Sequence, residues 1–289
     1  METIKTVFVT GATGNQGGAV ANNLVMNGFV VKALTRDAHS PKVKKLEHPN
    51  LEYVTGDLNN VESYSKYLHK TDAVFSVQTF EKGSAVEVKQ GMDLAGIAKS
   101  SGVRTFVYSS GLGADLHTGI PHWESKLLIE NYIRQIDLPY SILRPASLFE
   151  NFLIPQVKNR LLKGKLVSPI RPDKIQQFIA SDDIGKMAVR IFKDPSKYYK
   201  STVILVSQRM DNLQVAKIFS EVLGKEIHYQ QLPSIITRLA MGKSLYKMFM
   251  WLNKNDLSGN IDPDSIRNEF PQMMTLKQWI GQNFTTSKP

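Results

Sequence analysis

The chain has 289 residues, a formal net charge of +10, 42% hydrophobic residues and no cysteine. At roughly 150 residues per domain, this length fits one large domain or one and a half, with core enough to need no staples. The missing cysteines exclude a disulfide framework, thiolate metal sites, iron–sulfur clusters and thiol catalysis, and no apolar run approaches the roughly 20 residues that span a bilayer.

A strand pattern begins at Ile4–Thr10 with no signal peptide ahead of it, which predicts a cytoplasmic protein. Strands are expected at Thr6–Thr10, Val30–Leu34, Leu51–Thr55, Ala73–Val77, Thr105–Ser109 and Tyr140–Leu143. Between them lie amphipathic helices at Gly17–Asn27, Val61–Leu68, Val86–Ser101 and Trp123–Gln135. Strands alternating with helices of this length imply right-handed crossovers and a parallel sheet. The strands are apolar on both faces, as a sheet covered on both sides requires.

After Pro145 the rhythm loosens. Asn151–Lys163 reads as helix, Gly164–Asp173 with its two prolines as loop, Ile184–Lys193 as helix and Thr202–Val206 as a last strand. Asp211–Leu223 is a helix with Asp at its cap, and Pro233–Leu252 is helical and rich in Met and aromatics. Thr275–Phe284 closes the chain, with Thr275 and Gln278 at capping-box spacing. The predicted architecture is α/β: a Rossmann-type doubly wound parallel sheet with a smaller, mostly helical C-terminal domain. Residues 1–152 form the nucleotide-binding domain, with 180–208 returning to it. Residues 153–179 and 209–289 form the smaller substrate or partner domain.

The segment from Val7 to Gly18 follows a strand and opens a helix, with glycines at 11, 14 and 17. Gly11 permits a tight turn, Gly14 lets a pyrophosphate approach the backbone, and Gly17 lets the helix pack close to the sheet. The helix N-terminus adds free N–H donors and a partial positive charge, which places Thr13, Asn15 and Gln16 beside the phosphates. Arg36 ends the second strand. An acidic side chain there binds the ribose hydroxyls of NAD, whereas Arg accommodates the 2′-phosphate of NADP. Asp37 follows it and is expected to point away, so the cofactor expected is NADP(H).

The spacing G-x-x-G-x-x-G resembles the extended and atypical short-chain dehydrogenases/reductases. Further segments narrow the resemblance to the NmrA-like family: Leu34-Thr35-Arg36, Val88–Gly91, Val107–Gly111, His122–Lys126, Arg144–Phe152 with its Phe-Glu-Asn stretch, and Ser181–Gly185. That resemblance implies NADP(H) binding, with Asp57 and Leu58 at the adenine. Gln78, Thr79, Lys126, Phe149 and Asn151 fall on the nicotinamide side. It also implies two kinds of activity. One is an NADPH-dependent reductase of a small apolar carbonyl or quinone. The other is a non-catalytic NADP(H) redox sensor acting through a regulatory protein partner.

Typical short-chain reductases pair Tyr with Lys four residues later. Here the stretch is His122-Trp123-Glu124-Ser125-Lys126, so the Lys is present and His replaces Tyr. Four-residue spacing keeps both on one helix face, and an unperturbed imidazole, pKa about 6.5, suits proton exchange near neutrality. Lys126 and His122 are therefore the candidate catalytic pair; the other reading of His122 is a satisfied helix-start histidine. Ser109 and Ser110 end the fifth strand near where the superfamily's Ser lies, and read either as that serine or as cofactor or turn contacts only; Lys89 is read as a surface lysine.

The six histidines form no His-x-x-x-His pair, so no metal site is expected. There is no Gly-x-Ser-x-Gly elbow. The densest basic cluster, Lys42-Val43-Lys44-Lys45, accompanies no nucleic-acid signature, so no nucleic acid is expected. Met241, Tyr246, Met248, Phe249, Met250 and Trp251 stand among Lys243, Lys247 and Lys254. They read as small-domain core, as substrate lid or partner surface, or as a membrane-surface helix. A monomer or a homodimer fits the sequence equally.

Overall fold

A computed structural model describes residues 3–40, 43, 48–255, 257, 266 and 269–284. Of the basic cluster, Lys42, Lys44 and Lys45 lie outside the described residues. The chain divides into two compact units, 1–145 with 181–204, and 146–180 with 205–289.

The first unit is built on strands β1 (Thr6–Val9), β2 (Val30–Thr35), β3 (Leu51–Thr55), β4 (Ala73–Ser76), β5 (Thr105–Ser109) and β6 (Tyr140–Pro145), joined at the edge by β10 (Ser201–Leu205). Their order is β10-β6-β5-β4-β1-β2-β3. The pairs β1–β2, β1–β4, β2–β3, β4–β5 and β5–β6 are all parallel. The order reverses between β1 and β4, and this switch point opens a crevice at the carboxyl edge.

Helices α3 (Ser84–Ser100) and α4 (Pro121–Gln135) cover one face. Their Leu94, Ala98, Ile129 and Ile133 pack with Phe8, Val74, Phe106 and Ile142 of the strands in one buried cluster. Gly91 makes this possible, because a Cβ there would lie 2.6 Å from the Ile129 side chain. A second pair, α1 (Asn15–Met26) and α6 (Ser181–Lys193), packs together just as closely. A Cβ on Gly185 would fall 2.7 Å from the Ala19 carbonyl, and Asn23 Nδ2 donates to Asp182 Oδ1 at 2.7 Å. The short helix α2 (Glu62–Ser65) completes the unit, with a 3-10 turn at Leu68–Lys70 taking over where helix was expected to continue.

A buried ionic cluster holds α4 to β6. Glu130, fully buried, accepts from Arg144 Nε at 3.0 Å and from its Nη2 at 2.7 Å. It also accepts from Arg134 Nη2 at 2.9 Å and Ser110 Oγ at 2.6 Å, while Arg144 Nη1 reaches Asp115. Burial alone pushes the Glu130 carboxyl up, but the Arg144 and Ser110 hydrogen bonds and the guanidinium charges outweigh it and hold it below the usual range.

The second unit contains β7 (Ser147–Leu148), α5 (Pro155–Leu162), β8 (Lys165–Ser168), β9 (Gln176–Ile179), β11 (Gln208–Met210), α7 (Asn212–Leu223), β12 (His228–Gln231), α8 (Ser234–Ala240), α9 (Gly242–Lys254) and α10 (Leu276–Phe284). Phe149, Phe178, Phe219, Trp279 and Phe284 form its core. The Asp211 cap of α7 and the reciprocal Thr275–Gln278 bonds before α10 are both present.

Three further sequence expectations need correction. Gly164–Asp173 is not all loop: β8 forms there and pairs with β12 in parallel, giving a partner to a run too short to declare itself. The expected Pro233–Leu252 helix is two helices, broken at Gly242, whose φ of +67° no continuing helix accommodates. The expected Asn151–Lys163 helix begins only at Pro155, after a 3-10 turn over Phe149–Leu153. Among the described residues, no helix is long and apolar enough to cross a membrane.

Glu130→Ala strands two arginines around an emptied site. It should lower stability by about 3–5 kcal/mol in urea titrations at neutral pH. Because the folded Glu130 value is depressed, its stabilisation is present above the ordinary glutamate value of about 4.3 and is lost as pH falls through the folded one. The difference between wild type and variant should therefore shrink in acid. An unchanged urea midpoint at pH 7 would refute this role.

Candidate functional site: a dinucleotide cradle at the carboxyl edge

The β1–α1 turn is set by steric demands on its glycines. Gly11 has φ +62°, a region glycine enters freely. Gly14 stands at the N-cap of α1 and its N–H donates to the Gly11 carbonyl at 2.9 Å. A Cβ on Gly17 would lie 2.3 Å from the Thr10 carbonyl and 2.4 Å from the Gly11 carbonyl oxygen. Only glycine lets the first turn of the helix lie against the strand end so closely. No side chain caps α1, so its first N–H groups stay available beside Thr13, Asn15 and Gln16. Ser109 Oγ donates to Gln16 Oε1 at 2.6 Å, tying the β5 end to this turn. The Thr10 hydroxyl donates to the Val77 carbonyl at 3.0 Å and accepts from the Val77 N–H at 2.8 Å, tying in the β4 end.

Arg36 follows β2 and is exposed. Among the described residues it has no hydrogen-bond or ion-pair partner. Asp37 is committed elsewhere, since its Oδ1 accepts from the His39 N–H at 2.8 Å in a local turn. Beyond β3, the Asp57 carboxylate accepts from the Asn59 backbone N–H and side-chain amide, both at 2.9 Å, and Leu58 packs against the core. At the end of β4, Gln78 is buried. Its Nε2 donates to Ser76 Oγ at 2.9 Å, while its Oε1 is a buried acceptor with no donor. Thr79 is exposed, and its hydroxyl accepts from the Glu81 N–H at 3.3 Å.

Helix α4 carries Lys126 and His122. His122 is buried and stacks on Phe80 with ring centroids 4.6 Å apart. Burial and then the nearby Lys126 charge lower its pKa to about 4, so the ring is neutral at neutral pH. The Lys126 stem runs past Gly111, where a Cβ would come 3.3 Å from its Cδ. Its Nζ donates to Glu87 Oε1 at 2.8 Å, and Ser125 Oγ donates to Glu87 Oε2 at 2.5 Å. Tyr108 lies fully buried nearby. Burial first, then the Glu87 and Glu130 charges, push its hydroxyl well above the ordinary tyrosine value. Ser110 is turned inward to Glu130, and Lys89 pairs with Asp93 at 2.5 Å on an exposed helix face.

Phe149 and Asn151 belong to the second unit. The Phe149 ring is core there, stacked on Phe178 at 6.0 Å, and Asn151 Nδ2 donates to Ser147 Oγ at 3.2 Å. Among the described residues, no group of His, Cys, Asp or Glu is gathered to hold a metal ion.

In the first unit, the residues expected at a dinucleotide therefore follow β1, β2, β3, β4 and β5 along one edge. The donor-rich helix terminus suits a pyrophosphate, the exposed guanidinium suits a phosphate monoester, and the orphaned Gln78 carbonyl suits an amide or hydroxyl donor. The set fits a phosphorylated dinucleotide. Sequence reasoning missed Glu87 and Glu130. Each lies on a helix face where an acid reads as solvated, and only the fold brings their cations to them.

Residues 3–280 match the NmrA-like family. Nitrogen metabolite repression protein nmrA of Emericella nidulans is 27% identical over 245 residues, covering 80% of this chain and 69% of that one. The NAD(P)H azoreductase of Xenophilus azovorans is 26% identical over 246 residues, 83% of each chain. Among solved structures, NmrA, a negative transcriptional regulator, superposes with a TM-score of 0.81 in its complex with NAD, at 23% identity. Its complex with NADP gives 0.80 at 22%; both comparisons cover 98% of this chain and 96% of that one. At that identity the likeness is one of fold.

The His122 environment gives a direct test. Its imidazole should titrate near pH 4 by NMR. Lys126→Met should move that midpoint up, leaving burial as the depressing cause. The same depression predicts stability that is present above the unfolded-state value of about 6.5 and is lost as pH falls through 4. A midpoint near 6.5 in the folded protein would overturn the buried, stacked placement.

Proposed function

This chain belongs to the NmrA-like family, and on that footing we propose that it binds NADP(H) along the carboxyl edge of its seven-stranded sheet and reduces a small apolar acceptor of the quinone class. The observation that carries the cofactor form is Arg36, exposed and without a partner among the described residues, next to an Asp37 that is spent on its own turn. The α1 N-terminus takes the pyrophosphate, and Asp57 and Leu58 border the adenine. Gln78, Thr79 and Lys126 serve the nicotinamide half. When bound, NADPH supplies a hydride.

The proton inventory supports this acceptor class. Hydride addition to an aldehyde leaves an alkoxide, a strong base that needs an acid in place. His122 is neutral at pH 7 and Ser110 donates to Glu130, so neither is a ready acid. Hydride addition to a quinone leaves a phenolate, whose conjugate acid has a pKa of about 10, and water protonates it without help. Lys126, its ammonium paired with Glu87, then binds and orients.

A second reading has its own support, the similarity to a nitrogen metabolite repression protein. In it the same pocket senses NADP(H) and changes contacts with a regulatory protein partner.

NADPH oxidation, followed by loss of its near-ultraviolet absorbance against quinones and small aldehydes, separates the two. Turnover with quinones and not aldehydes, retained in His122→Phe, is the expected result. Tight NADPH binding without turnover on either panel would replace the reductase with the sensor. Arg36→Glu should weaken NADPH by about 10- to 100-fold and NADH little, since a charge-assisted phosphate contact becomes a repulsion. Equal losses for both cofactors would sink the 2′-phosphate assignment.

A further inference from the structure

Glu87 stands in the first turn of α3 with its side chain fully buried. Both of its carboxylate oxygens are used by one neighbouring helix: Oε1 accepts from Lys126 Nζ at 2.8 Å and Oε2 from Ser125 Oγ at 2.5 Å. Among the described residues, Glu87 is the sole hydrogen-bond acceptor of Lys126 Nζ. A buried carboxylate is costly unless paired and hydrogen-bonded, and this one is satisfied by a charge on one oxygen and a hydroxyl on the other. The position near the α3 N-terminus adds the favourable end of the helix dipole.

The pairing has a geometric consequence for Lys126. A lysine is a flexible four-carbon stem with a point charge, and fixing it costs rotamer entropy. Here the stem is confined by Gly111 on one side, where no Cβ stands, and the head is held by Glu87 on the other. The side chain keeps only 13% exposure. An ammonium has three donors, and Glu87 takes one. Two remain for a ligand.

The topology says which ligand half they meet. Arg36 lies after β2 and the pyrophosphate turn after β1, while β4 and β5 lie on the other side of the switch point. A dinucleotide with its adenosine at β2 and β3 has its nicotinamide ribose toward β4 and β5, where Gly111 and Lys126 stand.

We propose that Glu87 is a positioning residue that holds the Lys126 ammonium for the hydroxyls of the nicotinamide ribose. This rests on the cofactor reading above. Glu87 does not touch cofactor; it acts through Lys126. It leaves the adenosine half of the site alone.

The test compares two ligands by titration calorimetry: NADPH, and adenosine 2′,5′-bisphosphate, which carries the adenine half and the 2′-phosphate but no nicotinamide. Glu87→Gln and Lys126→Met should each weaken NADPH by about tenfold, the size of one lost charge-assisted hydrogen bond, and leave the bisphosphate unchanged. In the Lys126→Met background, Glu87→Gln should have no further effect on NADPH. Glu87→Asp keeps the charge on a shorter stem and should recover part of the loss. If Glu87→Gln does not fold, Glu87→Asp alone carries the comparison, with a smaller NADPH-specific loss expected. Equal weakening of both ligands by the Glu87 variants marks a purely structural role and overturns the proposal. So does a Glu87 effect that persists undiminished when Lys126 is absent. If Lys126→Met weakens NADPH and the Glu87 variants do not, the cofactor reading stands and the positioning role fails. If the wild-type protein binds neither ligand, the cofactor reading itself fails and takes this role with it.

Discussion

The site depends on how closely helix α1 lies on the end of strand β1. With a hydrogen in place of a Cβ at Gly17, the helix starts where the carbonyls of Thr10 and Gly11 leave no space for anything larger. That approach points the uncapped N-terminus of α1 out of the sheet edge at the switch point. The threonine and serine bonds follow from it. Thr10 ties the turn to β4 through Val77, and Gln16 ties it to β5 through Ser109. Three strand ends and one helix end are thus fixed together before any ligand arrives, which is the preorganisation a phosphate cradle needs.

Much of this was legible in the sequence because the constraints are local. A glycine three residues from another, between a β-branched run and an amphipathic stretch, has few structural meanings. The alternation of strands and helices implied right-handed crossovers and a parallel sheet, and the parallel pairs are there. The capping box at Thr275 and Gln278 is likewise a four-residue event. What stayed illegible depends on partners far along the chain. Strand β8 exists because β12, more than sixty residues later, pairs with it. The break at Gly242 turns on a single backbone angle that a Met- and aromatic-rich run conceals.

Buried charge was the other blind spot, and for the same reason. Glu87 and Glu130 sit on helices whose sequences look ordinarily amphipathic. Their partners, Lys126 and Arg144, come from different elements. A sequence reading prices each acid as exposed, since an unpaired buried carboxylate is prohibitive. The fold reverses that by supplying two or more donors to each. Such pairs are poor evidence of net stability, yet they are demanding in geometry, because removing one partner leaves the other buried and unpaired. They fix α4 in position and in rotation: Glu130 against β6, and Ser125 and Lys126 against α3.

Those two anchors also bear on the chemistry of the face between them. His122 lies one turn before Lys126, stacked on Phe80, and the charge that Glu87 keeps in place is one of the two causes holding the imidazole neutral. The same arrangement that presents a fixed ammonium therefore withdraws a proton donor. Under the reductase reading proposed above, such a site suits an acceptor whose reduced form is a weak base better than one that must be protonated as hydride arrives. His122 is neutral and Glu130 charged at neutral pH, so neither changes state there. A reductase of quinone-like molecules and a sensor of NADP(H) make the same demand on the pocket, a cofactor held firmly with no acid beside it. They part only at whether a second molecule reaches the hydride.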